Sequence, residues 1–412
     1  MSFGDSPKSS AEFPRGRIRA DARKIQAGPP QPQITVIVNR FSFWLFQQTT
    51  TMFASKAVRK SIQAICAFST KAPTVAVLHQ AIDPPVINGV TKPRKPGEGR
   101  EGHKVGSFGP SLLPCRLGVP GHEEGIYSAA QQDATHFWAN TILFTSHPLQ
   151  TSPELTPVAS EIYVVGQPPG LAENSDDKAY LNDKLRELGG YTLPKSWLVS
   201  PKNISEIINH IDRYPIVGKP VRRRGSHGVK VCHDKGQLQQ HVQTLLRESP
   251  LIMLEKFLSG EEATITVMSP AIEHSQHWSM LTVTRLNYAE GIAPYNGVVA
   301  VTSNSRVISQ SELKDPGYRK VMRECESVAA LIRATAPVRV YVRQFVEGSD
   351  FALFDINMKP NMTGPDRPGR QDQASLTAIA ASAIGWDNGT LLGNILKGAQ
   401  PLNVFRTYRS PS

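Results

Sequence analysis

Phe351-Ala352-Leu353-Phe354-Asp355-Ile356-Asn357-Met358-Lys359-Pro360-Asn361 holds an apolar run that leads into a carboxylate and a carboxamide two residues apart. Alternation along a strand puts residues i and i+2 on one face, so Asp355 and Asn357 are expected to point the same way. Two hard oxygen donors so placed suit one Mg²⁺. They equally suit a plain strand end passing into an Asx-rich turn. Pro360 stops the strand, and a loop rich in Gly, Pro and Arg follows, Thr363-Gly364-Pro365-Asp366-Arg367-Pro368-Gly369-Arg370.

Upstream of this stretch, Val338 to Phe345 reads as a strand that pairs with Phe351 to Asn357 across the turn Glu347-Gly348-Ser349. Val321, Cys325, Val328, Leu331 and Ile332 mark a long helix before it. Further strands are expected at Pro215 to Pro220, Val229 to Cys232, Leu251 to Leu258, Ala263 to Met268, Met280 to Arg285 and Val298 to Thr302. Helices are expected over Asp177 to Leu188 and over Asn203 to Arg213. In the second, Ile204, Ile207, Ile208 and Ile211 fall at i, i+3, i+4 and i+7. Leu238, Val242, Leu245 and Leu246 define another, and a last helix runs from about Ala374 to Ile384. Helices and antiparallel strands in this order predict a two-layered α+β fold rather than alternating βαβ units.

Residues 74–170 read differently. Thr74 to Ile82 is a nearly continuous apolar run, as in a buried parallel strand. A parallel neighbour needs a crossover, yet residues 91–122 carry Gly, Pro and basic residues without a helical period. Helix-then-strand patterning resumes at Glu123 to Gln131, His136 to Leu143 and Glu161 to Val165. This predicts an abridged Rossmann-like domain, and the lack of G-x-G-x-x-G excludes the usual dinucleotide site.

The chain has 412 residues and a formal net charge of +11. Residues 1–73 hold 11 Lys/Arg against 3 Asp/Glu, or +8 of that total. The basicity belongs to a leader and not to a folded face, which argues against nucleic-acid binding. Residues 1–33 have the composition of a disordered segment. Ile34 to Phe46 is too short and too polar for a membrane span. Met52 to Thr70 is acid-free and amphipathic, with Lys56, Arg59 and Lys60 set apart from Phe53, Val58, Ile62 and Ile65. A mitochondrial transit segment has this composition, so the expected location is cytoplasmic or mitochondrial. Four scattered cysteines signal neither zinc nor a disulfide framework, which fits a reducing compartment.

Lys219, at a strand end, precedes the loop Val221-Arg222-Arg223-Arg224-Gly225-Ser226-His227-Gly228. A strand lysine can hold a phosphate as a point charge. Gly225 and Gly228 let backbone N–H groups close over phosphate oxygens, and Ser226 and His227 add side-chain donors. A basic surface turn is the alternative. Glu255-Lys256-Phe257-Leu258 can present a backbone edge and Leu258 to an adenine, with Glu262 facing ribose hydroxyls.

In this order the pieces resemble the ATP-grasp ligases, and within them the D-alanine–D-alanine ligase-like group, over about residues 175–398. The resemblance implies a lobe at 175–258 that carries ATP and a lobe at 259–398 that carries metal and substrate. It implies that Lys219 and an earlier lysine, Lys184 ahead of Lys178, meet ATP phosphates. Gly225, Ser226, His227 and Gly228 would form the glycine-rich flap. Glu255, Lys256 and Leu258 would form the adenine hinge, and Glu262 would bind ribose. Arg339 would steady an oxyanion, and Asp355 and Asn357 would hold Mg²⁺. The implied reaction is ATP- and Mg²⁺-dependent joining of a carboxylate, such as an amino acid, to an amine, with small-molecule partners and a homodimer as one possible assembly. One departure is plain. The family motif is R-x-D, and this chain has Arg339-Val340-Tyr341, an uncharged phenol in place of a carboxylate. A catalytically impaired nucleotide-binding protein of the same fold is therefore the competing expectation.

Overall fold

The computed structural model describes residues 73–81, 86–87, 90–91, 115–222, 227–286, 291, 301–365 and 373–409. All of them fall in one unit, residues 71–412. The leader, Gly225 and Ser226 lie outside the described residues.

The first lobe is built on a mostly parallel sheet. β1 (Val75–His79) is followed by a two-stranded hairpin, β2 (Val86–Ile87) and β3 (Val90–Thr91). Then come β4 (Cys115–Pro120), α1 (Glu123–Gln131), β5 (His136–Ala139), α2 (Pro148–Thr151), β6 (Tyr163–Val165) and α3 (Pro169–Ser175). β1 sits between β4 and β5, parallel to both, and β6 adds beyond β5. The run Val75-Ala76-Val77-Leu78 is buried on both faces, as its unbroken apolar character requires. β4 corrects the reading of 91–122 as devoid of elements. Gly118 at φ +79° and Pro120 erase the local strand signal, and a register shift opposite Ala76 and Leu78 absorbs them. Pairing with β1 supplies what local propensity lacks.

The second lobe contains α4 (Lys178–Leu188), β7 (Ser196–Val199), α5 (Ile204–His210), β8 (Ile216–Pro220), β9 (Lys230–Cys232), α6 (Lys235–Leu245) and β10 (Ile252–Lys256). Its antiparallel sheet has the order β7-β10-β8-β9. Ile208, Leu238, Val242 and Leu245 cover one face of it. α5 ends three residues before the expected Arg213, with Ile211 as its extended C-cap.

The third lobe holds β11 (Glu262–Met268), β12 (Trp278–Ser279), β13 (Val283–Arg285), β14 (Ser305–Val307), α7 (Pro316–Leu331), β15 (Val338–Gln344) and β16 (Phe351–Asn357). The antiparallel sheet order is β14-β13-β11-β15-β16, with β12 also on β11. The strand expected at Val298 to Thr302 comes later. Val301–Asn304 is a 3₁₀ turn, and the strand starts at Ser305. Ala263, Ile265, Val267, Val338, Val340 and Val342 pack with Val321, Cys325 and Val328 of α7. Alternation then commits Glu262, Thr264, Thr266, Arg339, Tyr341 and Arg343 to the opposite face.

α8 (Leu376–Ala383) and α9 (Asn388–Lys397) follow. β17 (Gln400–Pro401) then pairs antiparallel with β6, and α10 (Leu402–Thr407) buries Leu402 and Phe405 in the first lobe's core. Among the described residues, no helix is long and apolar enough to cross a membrane.

Candidate functional site

β8 and β10 build the first half of the site. Lys219 lies opposite Met253, so Glu255, two residues on, is its diagonal neighbour on the same face. The Lys219 amine meets the Glu255 carboxylate at 2.6 Å, with both side chains only 5% exposed. It also donates to the Phe354 carbonyl of β16 at 2.9 Å. That bond crosses from the second lobe to the third and ends one residue from Asp355.

β15 and β16 build the other half. Tyr341 is opposite Asp355 and Arg339 is opposite Asn357, so these four side chains share a face. The expected common face of Asp355 and Asn357 is present. Both also make the Asx contacts of the plainer reading: Asp355 Oδ1 accepts from Ile356 N–H, and Asn357 Oδ1 from Lys359 N–H. Arg339 is 2% exposed. One guanidinium nitrogen donates to the Tyr341 hydroxyl, and the guanidinium lies 5.1 Å from that ring's centroid. Its Nε has no hydrogen-bond partner among the described residues.

α4 closes the gap between the halves. Asp177 caps the helix by accepting from Ala179 and Tyr180 N–H, and its other oxygen takes Arg222 at 2.9 Å. The Lys178 amine, one residue on, lies 3.2 Å from Asp355 Oδ1. It is Lys178 and not Lys184 that reaches this carboxylate. Six residues along a helix turn about two-thirds of a circle, which rotates Lys184 away from the face of Lys178. Asn182, one turn beyond Lys178, is buried, and its Nδ2 donates to Glu255 Oε1 at 3.4 Å. Sequence reasoning passed over Asn182, although its i, i+4 spacing from Lys178 was a usable signal. Lys178, Asn182, Phe354 and Asp355 line one small cavity.

The remaining expected residues are spread around this centre. Lys256 is exposed and Leu258 is buried beside it. Glu262 is 6% exposed and engages Arg343 at 3.6 Å. Burial pushes its carboxyl up to about 6, against the pull of Arg343 and Arg285. Its carboxylate faces Arg343 and lies opposite Arg285 on β13. Arg343 also donates to the carbonyl of Gly260, in the connection between β10 and β11, and to the carbonyl of Gly291, beyond β13. His227 is exposed and pairs with Glu248 at 3.0 Å. Gly228 adopts φ +72°, the left-handed region that favours glycine.

The donor set can take a divalent cation in a limited way. Asp355 and Asn357 supply a carboxylate and a carboxamide from one edge of a sheet. Among the described residues no three His, Cys, Asp or Glu gather as a metal cluster. Such a pair suits Mg²⁺ that draws its other ligands from phosphates and water.

Residues 192–397 match the family model described as D-ala D-ala ligase C-terminus. A D-alanine–D-alanine ligase of Syntrophotalea carbinolica is 23% identical over 47% of this chain and 57% of its own length. One from Gloeobacter violaceus is 27% identical over 44% and 54%. The chain thus spans little more than half the length of these two curated relatives. In fold, the chain is similar to D-alanine–D-alanine ligase from Bacillus anthracis complexed with ATP. The TM-score is 0.54 at 17% identity, covering 82% of this chain and 99% of that one. VanG D-Ala:D-Ser ligase from Enterococcus faecalis gives 0.53 at 14% identity, over 79% and 99%.

Proposed function

We propose, from the premise that this chain belongs to the D-ala D-ala ligase C-terminal family, that it is an ATP- and Mg²⁺-dependent ligase joining a carboxylate to an amine. The observation that carries the reading is the Lys219 amine, bonded across the cleft to the residue before Asp355. A cation on one sheet is thereby joined to the backbone beside an oxygen-donor pair on another, an arrangement suited to gripping nucleotide phosphates.

In this reading ATP phosphorylates an amino-acid carboxylate, an amine attacks the acylphosphate, and phosphate leaves as the amide forms. The chain supplies positioning and charge rather than covalent chemistry. Lys219 and Lys178 bind phosphate oxygens, and Glu255 and Asn182 hold Lys219 in place. Arg339 is buried beside the metal pair and stabilises the oxyanion of the tetrahedral intermediate. Asp355 and Asn357 would hold Mg²⁺, which when bound would neutralise phosphate charge. The lobes at 175–258 and 259–398 are the units that close on ATP. An amino acid or short peptide is the substrate class. The acid-free, amphipathic segment from Met52 to Thr70 supports a mitochondrial address, with the cytoplasm as the alternative, and a diffuse fluorescent fusion of residues 52–75 would refute the first.

A second reading has one observation in its favour. The residue opposite Asp355 is Tyr341, whose hydroxyl takes a guanidinium N–H of Arg339. It brings no charge to a metal and holds the arginine back from a substrate, as in a nucleotide-binding protein without ligase activity. A thermal shift with ATP plus Mg²⁺, then ADP release across an amino-acid panel, separates the two. Release with one amino acid establishes the ligase, and binding without release across the panel establishes the alternative.

A further inference from the structure

We infer that Lys178 is an exchangeable counter-ion. In the nucleotide-free protein it neutralises Asp355, so the divalent cation enters only together with the phosphates that draw Lys178 away. The inference rests on the reading that Asp355 and Asn357 hold the metal, and it adds an order of binding and a residue that enforces it.

Two observations carry it. The first is the contact itself. The Lys178 amine lies 3.2 Å from Asp355 Oδ1, with the side chains 15% and 34% exposed. An ammonium at that distance partners the carboxylate oxygen Oδ1 that a cation would otherwise draw on. Two cations cannot share one carboxylate in a half-buried cleft without strong repulsion. The second is the poverty of the site. Asp355 is the one acidic side chain of the proposed pair, and Asn357 adds only a neutral oxygen already accepting from Lys359 N–H. With Lys178 in place the pair presents no net negative charge to a divalent cation. Nucleotide phosphates change both terms together, because they offer the metal anionic ligands and offer Lys178 a new partner. The helix that delivers Lys178 is held rigidly. Asp177 caps it and grips Arg222, which also donates to the Glu173 carbonyl. A swing of the lysine side chain, not a shift of α4, is enough for the exchange.

Mn²⁺ tests this without turnover, because the electron-paramagnetic signal of the free ion is lost on binding. The full chain is titrated with Mn²⁺ alone and again with a non-hydrolysable ATP analogue. Wild type is expected to bind Mn²⁺ weakly alone and much more tightly with the analogue. Equal affinity in both titrations overturns the inference and needs no variant. Lys178→Met is expected to bind Mn²⁺ alone roughly tenfold more tightly than wild type, since a neighbouring cation is removed. Lys178→Arg, which keeps the charge, is expected to match wild type. Lys178→Met binding no tighter than wild type overturns the inference, as does Lys178→Arg binding as tightly as Lys178→Met. If positive coupling with the analogue persists in either of those cases, the ligase reading stands and the exchange alone falls. If the analogue binds neither with nor without Mn²⁺, both fall.

Discussion

Lys219–Glu255 and Lys178–Asp355 are both lysine–carboxylate pairs in the same cleft, yet their surroundings set them apart. The first is enclosed between two strands of one sheet, at 2.6 Å, and further held by Asn182 and the Phe354 carbonyl. The second joins a helix to the edge of another sheet at 3.2 Å and is reached by solvent. A buried pair is a fixed part of the fold, because separating it strands a charge where water cannot replace the partner. A partly exposed pair costs less to open, because water can replace the partner. The difference in enclosure makes the first pair far costlier to separate than the second.

The largest expected effect breaks the first pair. Lys219→Met leaves Glu255 buried and unpaired, and should cost about 3–5 kcal/mol of stability in denaturant melts. Adding Glu255→Leu should restore much of it, and a double variant no more stable than the single one would contradict the pairing. Any surviving Lys219→Met protein should also lose ATP turnover. Next is Arg339→Ala, which should lower kcat of an active ligase by roughly a hundredfold or more, about 3 kcal/mol. Unchanged kcat would remove Arg339 from the reacting centre.

A pH scan sets the two pairs against groups outside the cleft. Burial lowers His147 to about 4, and its Nε2 has no hydrogen-bond partner among the described residues. The unfolded chain then takes up the proton first, so this contribution is intact above 6.5 and lost as pH falls toward 4, up to about 3 kcal/mol. Glu262 runs the other way. Raised to about 6, its protonated form favours the fold, and roughly 2 kcal/mol is lost as pH rises from 4.5 through 6. His147→Gln should reduce the acid-side loss, and part of it should persist because burial lowers His136 to about 4 as well. An unchanged profile would show that His147 titrates as it does in the unfolded chain. The smallest effect is at the second pair: Lys178→Met should change stability by about 1 kcal/mol or less. A loss as large as that of Lys219→Met would erase the distinction between the pairs.

Much of the fold was legible because its signals are local. Alternating Val338-Arg339-Val340-Tyr341-Val342-Arg343 announced a strand with one apolar and one polar face, and the structure packs the valines on α7 and keeps the polar side chains on the other face. The isoleucine spacing marked α5, and Asp355 and Asn357 were placed on one face by period alone. β4 was not legible, because Gly118 and Pro120 contradict a strand until β1 provides a partner. Nor was the return of Gln400–Pro401 to the first lobe's sheet, since two residues carry no period.

The candidate site divides along the same line. The sequence alone determined which residue types stand at the strand ends, because strand and helix periods are properties of neighbouring residues. Only the tertiary structure decided that Lys178 rather than Lys184 meets Asp355, that Asn182 steadies Glu255, and that Tyr341 takes the hydrogen bond of Arg339. Each of those contacts joins elements distant along the chain, or depends on the rotation of a helix against a sheet. That rotation is set by packing of the whole lobe, which no short stretch of residues encodes.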